Sequence, residues 1–232
     1  MPRDCFNLLR PVLLIVLIVP LNGHTQPPVP EASPDARRGR QVVIDRDCID
    51  CHGDRGQGDA AEGYPRLAGQ SRVYLYKQLQ DFAIGNRPSE DMQEVVAELS
   101  DRQMADVAAY FAELAETPYP TQPSADPADL QTGGRLSAIG APEREIQACA
   151  LCHADFGAGL PPSFPYLAGQ HAGYTARQLQ LWKQDRRGND PLDVMARIAK
   201  ALTDEEISAL GVYFARVRLS PDAINDLTPS EP

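Results

Sequence analysis

Two pentapeptides, CIDCH at 48–52 and CALCH at 149–153, constrain this chain more than any other feature; matching positions are 101 residues apart. Cysteines at i and i+3 project from one side of a helical turn. Two disulfides are the ordinary reading of four cysteines in an exported chain. Zinc is a second reading, but the gap between the pairs far exceeds zinc-site spacing. A thioredoxin-like redox pair needs a strand–helix–strand context, and the flanks here read as helical. None of these explains why a histidine follows the second cysteine both times. C-x-x-C-H is the signature of covalent haem attachment. The sulfurs of Cys48 and Cys51, and of Cys149 and Cys152, can form thioethers with the two vinyl groups of one haem. His52 and His153 then fall below the ring, within reach of the iron. The two motifs use every cysteine except Cys5.

Cys5 sits in a leader. Arg3 and Arg10 precede the apolar run PVLLIVLIVP at 11–20, and proline-rich polar sequence follows. The run is too short to span a bilayer, so residues 1–25 read as a secretory signal peptide. The composition, 43% apolar with a net charge of −10, is that of a globular acidic protein. Such a chain repels nucleic acid and anionic surfaces, and it suits a basic protein partner.

The repeat extends beyond the pentapeptides. YPRLAGQ at 64–70 matches FPYLAGQ at 164–170, and YLYKQLQDF at 74–82 matches YTARQLQLW at 174–182. GNR at 85–87 lies opposite DRR at 185–187. MQEVVAELSD at 92–101 matches MARIAKALTD at 195–204, and AAYF at 108–111 matches GVYF at 211–214. The expected organisation is therefore a tandem duplication, with domains at 26–116 and 135–232. The segment 117–134, with four prolines and terminal glycines, reads as an extended linker. Helices are expected at 35–51, 71–84 and 101–115, and at 143–152, 171–185 and 204–218, with no strands. Ser100 and Thr203 read as N-caps. Met104, Val107, Ala108, Phe111 and Leu114 recur at helical spacing, as do Ile207, Leu210, Gly211, Phe214 and Val217. Long loops leave each copy short of apolar core, which a haem would supply.

Methionine sulfur opposite histidine gives a closed, high-potential iron. Met92 and Met195 occupy matching positions, in what reads as a loop after a helix, and are the expected axial partners of His52 and His153. Met104 falls on an apolar helical stripe and reads as core. His171 reads as a surface polar residue. The carbonyls of Pro65 and Pro165 can accept a hydrogen bond from the free ring nitrogen of each proximal histidine; an ordinary turn proline is the alternative. Tyr74, Tyr174, Phe82 and Trp182 pack either on haem or on the core.

With these residues in order along both copies, the chain resembles cytochrome c4, a family of dihaem, two-domain class I cytochromes c. The resemblance implies an all-α fold: two tandem cytochrome c domains, each a few helices wrapped around one covalently bound haem. It implies that Pro65 and Pro165 hold the proximal histidines, and that the domains face each other with haem propionates near the interface. It also implies a one-electron carrier of the bacterial periplasm, often attached to the membrane surface, and not itself an enzyme. Its partners would be a quinol–cytochrome c reductase and a terminal oxidase. The alternative is the electron-accepting subunit of a dehydrogenase complex, for example one of flavin-dependent sulfide oxidation. A catalytic dihaem oxidase would need an open iron, against which Met92 and Met195 argue. One departure is Ala154, where the family pattern has glycine.

Overall fold

The computed structural model describes residues 33–219; the expected signal peptide, with Cys5 and His24, lies outside the described residues. The elements are α1 (Ala36–Asp45), α2 (Cys48–His52), α3 (Arg72–Ala83), α4 (Glu90–Ala97), α5 (Asp101–Ala112), α6 (Pro127–Ala138), α7 (Ala150–His153), α8 (Ala172–Lys183), α9 (Val194–Ala201) and α10 (Asp204–Phe214). Helices α1 through α5 and α6 through α10 are two passes of one pattern. Among the described residues β pairing is limited to isolated bridges, such as Leu160 with Phe164. None of the described helices is long and apolar enough to cross a membrane. Both passes belong to a single unit that begins at Pro34.

In each pass the first and last helices pack together, α1 on α5 and α6 on α10, and the middle helix lies against the last, α3 on α5 and α8 on α10. The first pair crosses at a glycine. A Cβ on Gly39 would run into the Asp106 carbonyl, and one on Gly133 would lie 2.5 Å from the Ala209 carbonyl. The terminal helices start as expected. Ser100 with Gln103 and Thr203 with Glu206 form reciprocal capping boxes, which satisfy otherwise orphaned N–H groups. Met104, Val107, Ala108 and Phe111 are buried in one copy, and Ile207, Leu210, Gly211 and Phe214 in the other. Each large side chain among them contributes about 1.5–3 kcal/mol on burial.

Four expectations change. The single helix expected at 35–51 is two, α1 and α2, separated at Arg46 and Asp47, where Asp47 adopts φ 52°. The second copy's counterpart of α1 is α6, not a helix at 143–152, where only a short 3₁₀ turn at Pro142–Arg144 and α7 form. The loop from α6 to Cys149 is longer than that from α1 to Cys48, so a fixed offset misplaces the helix. Consequently 127–134 is helical: Asp126 caps Ala128 N–H and Pro127 occupies the first turn, where a missing N–H costs nothing. Finally, Met92 and Met195 lie in the first turns of short helices, α4 and α9, not in loops.

Candidate functional site

Helix α2 is a single turn. Asp47 enters it in the left-handed region at φ 52°, and Gly53 leaves it at φ 77°. In the second copy Ala154 takes Gly53's role at φ 58°, ψ 173°, a conformation open almost only to glycine. These turns bury His52 and His153, each 7% exposed. His52 Nδ1–H donates to the Pro65 carbonyl at 3.1 Å, and His153 Nδ1–H to the Pro165 carbonyl at 3.0 Å. A carbonyl can only accept, so Nδ1 carries the proton and Nε2 keeps its lone pair. Burial lowers both histidine pKa values, against the raising effect of those hydrogen bonds. Phe111 lies edge-on to the His52 ring at 6.4 Å, and Phe164 edge-on to His153 at 5.9 Å.

Both histidines, all four motif cysteines, Met92 and Met195 line one cavity of about 1190 Å³. That exceeds the usual single-ligand pocket of roughly 300–1,000 Å³. The four cysteines form no disulfide. Burial raises the Cys48 thiol and pushes the Cys149 thiol up to about 11, so both stay protonated at neutral pH. Each methionine is anchored through its backbone: Met92 N–H donates to Ser89 Oγ at 3.4 Å, and Met195 N–H to Asp190 Oδ2 at 2.7 Å. Met104 lies in the core with Phe82, Val96 and Leu99, as its spacing implied.

Where the copies meet, the cavity wall carries two buried arginines. Arg87 donates to Gln78 Oε1 (2.8 Å), Gln178 Oε1 (2.9 Å) and Tyr174 Oη (2.6 Å). Arg187 donates to Gln178 Oε1 (2.7 Å), Gln78 Oε1 (3.2 Å) and Tyr74 Oη (3.4 Å). Arg87 lies over the Phe82 ring and Arg187 over the Trp182 ring. Neutral oxygens satisfy these donors, and the Asp81 carboxylate offsets only part of the charge on Arg87. The field shows at Tyr74, whose phenol burial would raise; Arg187 and Arg87 outweigh that and lower it. Asp81, the nearby carboxylate, is engaged by Lys77 and by Asn189. Two buried cations on an apolar cavity call for an anion. Haem fits each part of this wall: thiols for its vinyl groups, neutral imidazoles for its iron, apolar sides for its ring and guanidiniums for its propionates.

The repeats hid three features. Gln70 and Gln170, the last letters of LAGQ, each reach into the other copy. Gln70 Nε2 donates to the Tyr166 carbonyl and Gln70 Oε1 accepts from Tyr166 N–H, both at 3.0 Å. Gln170 makes the same pair with Arg66, both at 2.9 Å. His171 is not a surface residue: it is 4% exposed and its Nε2–H donates to the Gln57 carbonyl of the first copy at 2.9 Å. Arg87 and Arg187, aligned in GNR and DRR, are the third. The surfaces beside the two motifs also differ: Leu151, Phe156 and Leu160 are exposed where the first copy exposes Asp50, Arg55 and Asp59.

The cytochrome c family model matches residues 36–115. The chain is 38% identical to cytochrome c4 of Thiocapsa roseopersicina, over 72% of this chain and 84% of the relative. The solved structure of reduced recombinant cytochrome c4 from Pseudomonas stutzeri superposes with a TM-score of 0.72 at 35% identity, covering 80% of this chain and all of that one. This chain belongs to the cytochrome c4 family. Like its relatives it binds haem c covalently, two groups per chain, and it is an electron-transfer protein and not itself an enzyme. Another relative is the thiosulfate dehydrogenase electron acceptor of Stutzerimonas stutzeri (strain A1501), 44% identical over 73% of this chain and 78% of the relative.

Proposed function

We propose that this cytochrome c4 is an exported, periplasmic one-electron carrier with two closed irons, organised as two haem domains, the first ending near residue 116 and the second beginning with α6 (Pro127–Ala138) in place of the expected start at 135. Cys48 and Cys51 attach one haem, with His52 and Met92 as axial ligands; Cys149 and Cys152 attach the other, with His153 and Met195. The observation that carries this reading is the doubled wall: in both copies a neutral, buried histidine and a methionine anchored in a helix's first turn line the same cavity. Haem iron supplies the one-electron Fe(III)/Fe(II) couple. The chain's residues do the rest. Pro65 and Pro165 fix the imidazole planes and raise their basicity. Met92 and Met195 would supply thioether sulfur to the irons, which would leave no open site for substrate and would raise the potential. Arg87 and Arg187 would hold the propionates, and the apolar wall would keep water from the ring.

The electron donor we favour is a thiosulfate-oxidising dehydrogenase, because a 44% identical relative is an electron acceptor of such an enzyme. This is the dehydrogenase-partner alternative, with thiosulfate in place of sulfide. The acceptor is a terminal oxidase or another basic redox protein, and a quinol–cytochrome c reductase is the alternative donor. Stopped-flow reduction of the oxidised holoprotein by a thiosulfate dehydrogenase plus thiosulfate tests the assignment. Reduction of both haems within turnover time is expected. No reduction, alongside fast reduction by a quinol-oxidising complex, would replace the donor. The second-order rate with a basic acceptor should fall as salt rises, because the chain carries a net charge of −10.

A further inference from the structure

Each glutamine of LAGQ touches the other copy at a chemically specific place. The carbonyl that accepts from His52 Nδ1 belongs to the peptide group joining Pro65 to Arg66, and the N–H of that same group donates to Gln170 Oε1 at 2.9 Å. In the second copy, the peptide group joining Pro165 to Tyr166 accepts from His153 Nδ1 at 3.0 Å and donates to Gln70 Oε1 at 3.0 Å. The carboxamides are held in one orientation. Gln70 Oε1 also accepts from Ser71 N–H at 2.9 Å, and Gln170 Oε1 from His171 N–H at 3.0 Å. The Nε2 groups face the Tyr166 and Arg66 carbonyls.

An amide whose N–H is engaged by a strong acceptor carries more negative charge on its oxygen, so hydrogen bonds in series strengthen one another. We propose that the glutamines act in trans: Gln70 tunes the iron held by His153, and Gln170 tunes the iron held by His52. Each Gln oxygen polarises the other copy's Pro–X peptide. The proline carbonyl then pulls harder on the imidazole proton, and the ligand becomes more basic. A more basic ligand favours the ferric state and lowers the potential. Both glutamines are positioning residues acting through a peptide group. Docking of the copies thereby sets both potentials, and a carrier with its copies apart has higher ones. The proposal rests on His52 and His153 being the iron ligands.

The test uses Gln70→Leu and Gln170→Leu in the two-haem holoprotein, with a redox titration that resolves each haem by its methyl NMR signals. Gln70→Leu should raise the potential of the CALCH haem by about twofold to fivefold in the one-electron equilibrium constant, or ~18 to ~41 mV at about 59 mV per decade. The CIDCH haem should stay put. Gln170→Leu should do the reverse. A structural defect near the mutated residue would move the haem of its own copy, and that outcome, or no shift at either haem, overturns the proposal. If the leucine variants do not mature, Gln70→Glu and Gln170→Glu keep an acceptor oxygen in place. Each should lower the other copy's potential more than its own, and the opposite order overturns the proposal. The methionine-to-iron charge-transfer band is recorded first on the wild type. Its absence overturns the methionine ligands but not the relay, which rests on His52 and His153 and stands or falls by the crossed shift; a full band without a crossed shift overturns the relay alone.

Discussion

Ala154 and Gly53 occupy one role with different residues, and exchanging them gives a prediction with a sign. Ala154 sits at φ 58°, ψ 173°, where an L side chain costs about 1–3 kcal/mol. Ala154→Gly removes that strain. It also gives the unfolded chain more freedom, which costs about 0.4–1 kcal/mol. The difference is a net stabilisation of roughly 0.5–2 kcal/mol. For a chain of this size about 1 kcal/mol moves Tm by about 2–4 °C. Gly53→Ala should do the opposite, since Gly53 adopts φ 77° and an added Cβ would also press on the Gln57 carboxamide. The assay is thermal unfolding of the oxidised holoprotein followed at the haem absorption, with the potentials measured alongside. Ala154→Gly should melt higher with both potentials unchanged, because the His153–Pro165 bond is untouched. A lower or unchanged Tm for Ala154→Gly, or a higher one for Gly53→Ala, would refute the reasoning.

Asp106 is 2% exposed and accepts from Arg38 Nε at 2.8 Å and Asp35 N–H at 2.7 Å, which ties the start of α1 to α5; Arg144 grips Glu206 in the second copy. Burial raises the Asp106 pKa, but those bonds and Arg102 outweigh it and hold it low, while Arg144 lowers Glu206. Both contributions are present above the unfolded carboxyl range near about 4 and vanish as pH falls through the folded values. Tm should therefore be flat near neutrality and drop below about pH 4, and Asp106→Asn should lower it at neutral pH while flattening the acid drop; circular dichroism checks both. Arg187→Gln removes one buried positive charge from the cavity wall, so spectroelectrochemistry should show a lower potential for at least one haem; a rise would contradict the propionate assignment.

Much of this was legible because the chain states it twice. Duplicated motifs separated Met92 and Met195 from Met104, and the structure gives the first two a shared wall and the third a core place. The helix stripes and the caps at Ser100 and Thr203 stand because hydrophobic period and capping are local. The resemblance assigned the proline carbonyls to the histidines, and the structure shows both hydrogen bonds. What was hidden depends on chain far away or on loop length. α6 was missed because the loop after it is longer than its counterpart. α4 and α9 are eight residues each, too short for a periodic signal, and rest on the anchoring contacts of Ser89 and Asp190. Gln70, Gln170 and His171 look like surface polar residues until the copies meet, because their partners lie 96 to 114 positions away. Their recurrence at the end of LAGQ marks the two glutamines, but not what they touch.

The central claim is that both irons are closed by histidine and methionine. The visible and far-red spectrum of the oxidised holoprotein tests it most directly, with haem counted per chain and the methionine-to-iron charge-transfer band quantified per haem. Two haems with a full band for each is the expected result. Two haems with half the band, or none, would mean that Met92 or Met195 does not ligate, and would contradict the closed-carrier account.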